Sequence, residues 1–253
     1  MSQQRGRRVL VTGGSRGIGA AVCRAFAAQG DLVAVHCSSN RAAAEALVAE
    51  LSGEGHVVVQ GDLRDATAVQ AFVEDAAVRL GALDVLVNNA GIYAFHTIDE
   101  VDYQTWQQAW ADTLAVNLVG SANATYCALR YMPRDGSARI VNVGSRGAFR
   151  GEPDSPAYAA SKAGLSALGQ SLAKALGGSG VSVTTVAPGF VETDMATFLL
   201  EGPEGDGIRG QSPMNRVATP EEIADAVVYL ASPGAQWASG AILDLNGASH
   251  LRM

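Results

Sequence analysis

The feature that most constrains the fold is an apolar run near the N-terminus that passes through a glycine-rich loop into a helical pattern. Residues Arg8–Thr12 predict a buried strand, and apolar residues at helical spacing continue to about Gln29. The loop between them, Gly13–Gly19, reads GGSRGIG, and its glycines permit a tight turn and close approach of a ligand to the backbone. The N-terminus of the following helix favours an anion such as a pyrophosphate. The segment therefore predicts a nucleotide site, with a turn that binds nothing as the alternative.

The rest of the chain reads as further strands and helices, consistent with an α/β fold. Buried strands are predicted at Leu32–His36, Val57–Gln60, Leu83–Val87, Ile140–Gly144, Val181–Ala187 and Ala241–Leu245. Helices are predicted at Ala66–Leu80, Tyr103–Tyr131, Ala157–Leu176 and from Thr219 to about Ala231. At 253 residues, the chain can form one large α/β domain or two small ones.

The composition argues against several classes of function. A net charge of −7 argues against non-specific binding of nucleic acid. No run approaches the roughly 18 apolar residues that a membrane span requires. Cys23, Cys37 and Cys127 are isolated from one another and the four histidines are scattered, so we expect no metal site. Isolated cysteines suit a reducing compartment, and we expect a cytoplasmic location.

A second informative stretch, Ser145–Lys162, reads SRGAFRGEPDSPAYAASK. Ser155 and Pro156 predict a helix start, with the serine as N-cap and the proline at the first helical position. Tyr158 and Lys162 then stand about one helical turn apart on the same face. The chain otherwise prefers arginine, with 16 arginines and 2 lysines. A lysine at this position is informative because its compact ammonium can contact both a phenol and a ribose hydroxyl.

This pair predicts proton-transfer chemistry. A free phenol has a pKa of about 10, and lowering it to ~7 requires roughly 4 kcal/mol, which a cation ~4 Å away supplies at an effective dielectric of ~20. We therefore expect Lys162 to lower the pKa of Tyr158, so that Tyr158 exchanges a proton with a substrate oxygen near neutral pH. Ser145, at the end of a predicted strand, could donate a hydrogen bond to the same oxygen. The alternative is a tyrosine that is merely packed.

The segment after the second predicted strand bears on the choice between NAD and NADP. A NAD site often carries an acidic residue there for the ribose 2′-hydroxyl, but no Asp or Glu occurs before Glu45. Arg16 and Arg41 could both face a 2′-phosphate, with Ser38 as a hydrogen-bond donor, which favours NADP. Alternatively, Arg41 merely opens a surface helix. Asp62, after the third strand, could accept a hydrogen bond from the adenine amino group.

Three motifs together resemble those of the short-chain dehydrogenase/reductase family, most nearly its 3-oxoacyl-carrier-protein reductases. The motifs are Thr12-Gly13-x3-Gly17-x-Gly19, Asn88-Asn89-Ala90-Gly91, and Ser145 followed 13 residues later by Tyr158-x3-Lys162. The resemblance covers essentially the whole chain. It implies one Rossmann-type, doubly wound domain over residues 1–253 with a seven-stranded parallel sheet. It also implies a nicotinamide cofactor and hydride transfer between that cofactor and a carbonyl or an alcohol.

The resemblance assigns roles to four residues. Tyr158 would be the general acid in reduction, and Ser145 would polarise the carbonyl. Lys162 would hold the nicotinamide ribose and lower the pKa of Tyr158. Asn117 matches the fourth catalytic member of the family, which supports a kinked helix and a water relay to the lysine. An ordinary helix asparagine is the alternative for this position.

The cofactor contacts combine residues noted above with those that the resemblance assigns. They are Gly13, Ser15, Arg16, Gly17, Ile18, Gly19, Ser38, Arg41, Asp62, Leu63, Asn89, Ala90, Gly91, Tyr158, Lys162, Pro188, Gly189, Val191 and Thr193. Asn88 and Asn89 are expected mainly to tie neighbouring strands together through their amides. Family members commonly pair the helices that correspond to Tyr103–Tyr131 and Ala157–Leu176 across a dimer, so we expect a homotetramer or a homodimer.

The substrate side is less constrained. Residues 191–215 combine a short apolar helix with several glycines after a strand's carboxyl end, which predicts a mobile lid. The segment 92–106 is a few residues longer than is common in the family, at the expected entrance. Candidates to line the substrate pocket are Tyr93, Phe95, His96, Arg146, Phe149, Arg150, Phe190, Met195 and Phe198. Arg146 and Arg150 suggest a negatively charged substrate or partner, with surface salt bridges as the alternative.

The sequence favours NADPH-dependent reduction of a ketone to a secondary alcohol, with Tyr158 as the general acid. The ketone would be a 3-oxoacyl thioester, free or linked to a carrier protein, or another small carbonyl compound. Oxidation of a sugar, a polyol or another secondary alcohol with NAD(P) is the first alternative. A protein that senses NADP or acts as a scaffold without turnover is the alternative from another class.

Overall fold

The computed structural model describes residues 6–252, apart from the side chains of Met195 and Phe198. Its centre is a sheet of seven strands in which every neighbouring pair is parallel. The strands are β1 Arg8–Val11, β2 Leu32–Cys37, β3 Val57–Gln60, β4 Val85–Asn88, β5 Arg139–Val143, β6 Ser182–Pro188 and β7 Ile242–Leu245. Their order is β3-β2-β1-β4-β5-β6-β7, which confirms the expected doubly wound sheet.

Ten α-helices connect or flank these strands in the described residues. They are α1 Gly17–Ala28, α2 Arg41–Glu50, α3 Ala66–Leu80, α4 Tyr103–Leu114, α5 Ser121–Ala128, α6 Gly147–Arg150, α7 Pro156–Leu176, α8 Asp194–Glu201, α9 Gly205–Arg209 and α10 Pro220–Leu230. A π-helical turn, Ala115–Gly120, joins α4 to α5. In the described part of the chain, no helix is long and apolar enough to cross a membrane.

Both faces of the sheet are covered, which explains why its strands read as continuous apolar runs. Successive side chains on a strand point to opposite faces, so Val9 and Val11 enter one apolar core while Leu10 enters the other. The first core holds the buried faces of α1, α2 and α10, and the second holds those of α3 and α5. Strand order reverses between β1 and β4, so their carboxyl ends form the crevice where ligands bind in such sheets.

The long helix predicted over Tyr103–Tyr131 is wrong in one respect: it is interrupted by the π-helical turn and ends at Ala128. The residues contain no proline to signal this break. Its cause is tertiary, because the backbone of Gly120 packs against the loop after β3. A Cβ at Gly120 would lie 2.7 Å from the Leu63 carbonyl oxygen. The wide turn also lets the buried Asn117 side chain form hydrogen bonds with partners outside its own helix.

Candidate active site

The glycine-rich loop lies between β1 and α1 at the carboxyl edge of the sheet. Gly17 has a φ of +52°, a conformation that side chains with a Cβ rarely adopt. A Cβ at Gly19 would lie 2.2 Å from the Gly13 carbonyl oxygen, so this close approach requires glycine. Helix α1 begins beside this turn with no acidic residue in its first turn. Amide donors without a competing carboxylate suit the phosphates of a nucleotide.

His36 fixes this loop, a role that the sequence did not reveal. The Gly13 amide donates to its Nδ1 at 3.0 Å, and its Nε2 lies 2.9 Å from the Gly61 carbonyl oxygen. Burial lowers the pKa of His36 to about 4, so the ring is neutral at neutral pH. Because Nδ1 accepts a hydrogen bond, Nε2 carries the proton and donates it to Gly61. His36 thereby links the ends of three strands beneath the predicted cofactor site.

Asparagines tie the neighbouring strand ends together, as predicted. The Asn89 Nδ2 donates to the carbonyl oxygens of Thr12 and Gly13 at 2.9 and 3.0 Å. The Asn88 Nδ2 donates to Asn142 Oδ1 and Thr125 Oγ1, both at 2.9 Å. These bonds hold the carboxyl ends of β1, β4 and β5 in register around the crevice.

Tyr158 and Ser145 meet at this edge of the sheet. Tyr158 lies in the first turn of α7 and Ser145 follows β5, and the two side chains are near enough for Ser145 to lower the pKa of the phenol. The Ser145 oxygen also accepts from the Gly147 amide at 3.0 Å, which leaves its own proton free to be donated. The arrangement presents two hydroxyl groups together, both able to donate to one oxygen atom.

The predicted lowering of the Tyr158 pKa by Lys162 is wrong in this structure. Burial raises the pKa of Tyr158, the Ser145 hydrogen bond opposes that rise, and the Glu152 charge adds to it. Lys162 Nζ lies 5.7 Å from the centroid of the Tyr158 ring and donates to the Val143 carbonyl at 2.8 Å. Desolvation is therefore the largest effect on the pKa of Tyr158, and the phenol holds its proton at neutral pH.

Lys162 is itself strongly affected by its surroundings. It is 3% exposed, and burial lowers the pKa of its ammonium to about 8. A Cβ at Gly91 would lie 3.3 Å from Lys162 Nζ and 3.4 Å from Asn117 Oδ1, so the three positions border one small space. Lys162 thus remains largely charged near neutral pH, beside Asn117.

Asn117 occupies the π-helical turn and is completely buried. Its Oδ1 accepts from the Ile92 amide at 2.8 Å, and its Nδ2 donates to the Ile92 carbonyl and to Ser161 Oγ, each at 3.0 Å. Ser161 Oγ in turn donates to the Tyr158 carbonyl at 2.7 Å. Asn117 therefore joins the segment after β4 to the helix that carries Tyr158 and Lys162.

Helix α7 begins as predicted, with Ser155 at the N-cap position and Pro156 as its first residue, but the Ser155 hydroxyl makes no capping bond and has no partner among the described residues. His96 takes this place: its Nε2 accepts from the Ala157 amide at 3.2 Å, and its Nδ1 lies 2.7 Å from the Ala94 carbonyl. The His96 amide also donates to the Asp154 carbonyl at 2.8 Å. His96 is completely buried and anchors the extended 92–106 segment instead of lining a pocket.

The residues proposed for the adenosine end have protein partners. Arg41 begins α2, and its Nε donates to Glu45 at 2.7 Å, the geometry of the surface alternative. The Asp62 carboxylate accepts from Arg64 at 2.6 Å, and this contact lowers the pKa of Asp62. Arg16 is exposed at the N-cap of α1. Arg16 lies in the loop after β1 and Arg41 follows β2, so both exposed guanidinium groups lie at the carboxyl edge of the sheet.

The other predicted cofactor residues fall around the same edge. The Arg146 amide donates to the Pro188 carbonyl at 2.7 Å, which joins the end of β6 to the segment after β5. A Cβ at Gly17 would lie 3.3 Å from Thr193 Cγ2, so the glycine-rich loop and the segment after β6 are neighbours. The Gly189 amide donates to Leu245 in β7 at 3.0 Å, and Val191 is buried.

Some of the residues predicted to line the substrate pocket lie beside Tyr158, and others lie near the surface. The Tyr93 ring lies 4.8 Å from the Tyr158 ring and 5.3 Å from the Phe95 ring, between centroids, so these aromatics flank the reactive hydroxyls. The Phe149 ring lies 4.3 Å from the Arg252 guanidinium near the surface. The side chains of Met195 and Phe198 are outside the described residues.

A doubly wound sheet with a glycine-rich loop and a Ser–Tyr–Lys cluster at its carboxyl edge defines an oxidoreductase with a nicotinamide cofactor. Comparison with known proteins agrees with this class. A family model described as short chain dehydrogenase matches residues 7–204. The chain therefore belongs to the short-chain dehydrogenase family, and it is an oxidoreductase acting on CH–OH or C=O groups.

Similar proteins span almost the whole chain. D-threitol dehydrogenase of Mycolicibacterium smegmatis is 37% identical over 96% of this chain and 92% of its own. The 3-oxoacyl-[acyl-carrier-protein] reductase of Staphylococcus aureus is 35% identical over 97% and 98%. The solved structure of a short chain dehydrogenase from Burkholderia cenocepacia in complex with NADP has a TM-score of 0.88 at 34% identity, covering 98% of this chain and 99% of its own.

Replacing His96 tests its part in holding the catalytic helix. His96→Leu leaves the buried Ala157 amide without an acceptor, so we expect a loss of about 1–3 kcal/mol in the free energy of unfolding. We also expect kcat to fall, because Tyr158 directly follows Ala157 and would lose its fixed position. His96→Gln, which returns an acceptor, should recover most of both quantities. Urea denaturation and steady-state kinetics measure them.

Ser155→Ala is the matched control for His96. Its buried hydroxyl makes no hydrogen bond within residues 6–252, so its removal should not lower the free energy of unfolding. A larger loss for Ser155→Ala than for His96→Leu would mean that the serine is the cap after all.

The pKa of Lys162 predicts a specific pH dependence of stability. Burial lowers this pKa to about 8, from 10.5, so between these values the unfolded state binds more protons than the folded state. The contribution of Lys162 to the free energy of unfolding therefore rises with pH across that window and is constant below it. Relative to Lys162→Met, the wild type should gain about 2 kcal/mol between about pH 7.5 and about pH 10 in urea denaturation. Parallel profiles for the two proteins would contradict the assignment.

Proposed function

We propose that this chain catalyses the NADPH-dependent reduction of a ketone to a secondary alcohol. The observation that carries the proposal is the placement of Ser145, Tyr158 and Lys162 together at the carboxyl edge of the sheet, beside the glycine-rich loop. A general acid must hold its proton until the substrate oxygen develops negative charge, and the Tyr158 phenol is protonated at neutral pH. Lys162 and Asn117 border the space beside this pair.

The residues present fit a dinucleotide with a 2′-phosphate. The turn at Gly17 and the N-terminus of α1 suit a pyrophosphate, while Arg16, Ser38 and Arg41 are exposed where a ribose phosphate would be recognised. The remaining proposed contacts are those given for the cofactor in the sequence analysis. When bound, NADPH supplies the hydride for reduction. The complex with NADP of the similar Burkholderia dehydrogenase supports this choice of cofactor.

Four residues of the chain carry out the other parts of the proposed reduction. The Ser145 hydroxyl, oriented by the Gly147 amide, donates a hydrogen bond to the substrate carbonyl oxygen. Tyr158 donates the proton to that oxygen as the carbonyl becomes an alcohol. Lys162, charged near neutral pH, binds the ribose hydroxyls of the cofactor. Asn117 positions Lys162 and the segment after β4.

The substrate itself is proposed at the level of a class. The similar 3-oxoacyl-[acyl-carrier-protein] reductase supports a 3-oxoacyl thioester or another small ketone, free or carried by a protein. The similar D-threitol dehydrogenase supports the second candidate, oxidation of a polyol or another secondary alcohol, in which Tyr158 would instead accept the proton. The pairing of Ser145 with Tyr158 argues against a protein that only senses NADP, since binding alone does not require it.

We further propose residues 191–215 as a lid within one domain spanning the chain. Helices α8 and α9 pack on each other through Ala196, Leu200 and Ile208, a small apolar cluster apart from the two main cores. A homotetramer or a homodimer is proposed through α4, α5 and α7, where Val119 and Tyr126 are exposed apolar side chains. The cytoplasmic location stays a prediction.

Tyr158→Phe tests the proposed reaction. Without the phenolic proton, NADPH consumption with a ketone should fall by about 10²-fold or more, while the Kd for NADPH, measured by fluorescence, should remain close to that of the wild type. Tyr93→Phe is the matched control, because this neighbouring phenol is assigned no proton transfer, and it should retain turnover. Undiminished turnover in Tyr158→Phe would refute the role of general acid.

Arg41→Ala tests the choice of cofactor. A charge-assisted hydrogen bond to a 2′-phosphate is worth about 1.5–3 kcal/mol, so the KM for NADPH should rise roughly tenfold or more while that for NADH changes little. Arg24→Ala removes another exposed arginine, paired with Glu50 on α2, and serves as the control. Equal losses for NADPH and NADH in Arg41→Ala would remove the 2′-phosphate assignment.

A further inference from the structure

Two arginines flank the segment after Ser145, and the structure separates their roles. Arg150 is exposed and forms an ion pair with Glu152, with Nη2 and Oε2 3.3 Å apart. Arg146 is 3% exposed, and within residues 6–252 it has no carboxylate at ion-pair distance. The alternative of a surface salt bridge therefore applies to Arg150 and fails for Arg146.

The Arg146 guanidinium has more donors than partners. It carries five N–H donors, and its Nη1 donates to Ser249 Oγ at 2.5 Å. Its Cζ also lies 5.3 Å from the centroid of the Phe190 ring. Burial and the charge of Arg150 lower the pKa of Arg146, the charge of Glu152 opposes this shift, and the guanidinium remains charged at neutral pH. A buried charge with no ion-pair partner is unfavourable, so an anion beside it would stabilise the protein.

Arg146 lines a cavity of about 260 Å³, here called the Arg146 cavity, that is bounded also by Phe190, Ile208, Ser212 and Asn246. Two acidic residues, Glu222 and Asp244, contribute to its wall. Arg146 and Arg216 balance these two charges, so the lining has no net charge, and each acidic residue has an arginine partner, as described next.

The other charged groups around the Arg146 cavity are paired. Arg216 binds Glu222 through contacts of 2.6 and 2.7 Å, and Arg252 donates to Asp244 at 2.8 Å. Of the charged side chains that line the cavity in the described structure, Arg146 is therefore the one without an opposite charge. Its excess of donors matches the planar oxygen pairs of a carboxylate or the oxygens of a phosphate.

The Arg146 cavity is linked to the proposed catalytic centre through the chain, although neither Ser145 nor Tyr158 lines it. Arg146 directly follows Ser145, and consecutive Cα atoms are about 3.8 Å apart. Phe190 directly follows Pro188 and Gly189, and the Arg146 amide is bonded to the Pro188 carbonyl. A substrate with its carbonyl at Ser145 and Tyr158 could therefore extend a charged group toward Arg146.

We propose that the Arg146 cavity binds a carboxylate or phosphate group, and that this group belongs to the substrate whose carbonyl is reduced. The assignment deepens the proposed function and rests on it for the source of the anion, whereas anion binding itself is independent of turnover. Free inorganic anion is the other source of the same chemistry. Two measurements separate these sources.

The first measurement uses inorganic phosphate with the NADP-saturated enzyme, so that the cofactor's own phosphate positions are filled. At constant ionic strength, phosphate should raise the melting temperature of the wild type and of the control Arg150→Gln. In Arg146→Gln this rise should be largely lost. An equal rise in all three proteins would overturn the site, and so would no rise in the wild type combined with no anion preference in the second measurement.

The second measurement compares matched ketones, each as a free carboxylate and as its methyl ester. The wild type should prefer the carboxylate in kcat/KM by tenfold or more, and Arg146→Gln should lose that preference while still reducing the ester. A phosphate response without a carboxylate preference would overturn the assignment to substrate and leave a site for free anion. A preference that survives in Arg146→Gln would overturn the proposal. Failure of every ketone to react would refute the proposed function, and the phosphate measurement would still decide on the site.

Discussion

The burial of the first turn of α7 is the constraint on which the rest of the site depends. A helix N-terminus has amide groups without partners in its own helix, and burial removes water as an alternative partner. His96 supplies the acceptor for Ala157, and Asn117 with Ser161 holds the same turn from another side. The turn that carries Tyr158 is consequently fixed by side chains from two other segments.

The same burial decides the electrostatics of the site. Moving a charged group out of water favours its neutral form, so the pKa of Tyr158 rises and that of Lys162 falls. Coulomb attraction across one helical turn would have the opposite effect on Tyr158, but Lys162 is engaged with the Val143 carbonyl. The hydrogen bond from Ser145 is the contact that favours the phenolate. At neutral pH, Tyr158 thus keeps its proton, and Lys162 is charged but loses its proton more readily than an exposed lysine.

Motifs that depend on local geometry could be predicted from the sequence. The turn at Gly17 and the shared helical face of Tyr158 and Lys162 follow from spacing along the chain, and the ties made by Asn89 follow from its place at the end of a parallel strand. Contacts between distant segments that no such motif marks could not be predicted. Ser155 has every local mark of an N-cap, yet His96, about 60 residues earlier, makes the bond. The break in the helix near Gly120 has the same origin in a distant loop.

By itself the sequence determined the α/β class, the order of the elements and the motifs that identify the family, because these depend on apolar periodicity and on glycine, proline and short spacings. The tertiary structure alone decided which side chains are buried and which charges are paired. It made Arg146 buried without an ion pair among the described residues and Arg150 exposed and paired with Glu152, although the two arginines are only four residues apart. The physical reason is desolvation, whose free energy depends on the surroundings in three dimensions and not on neighbours in the chain.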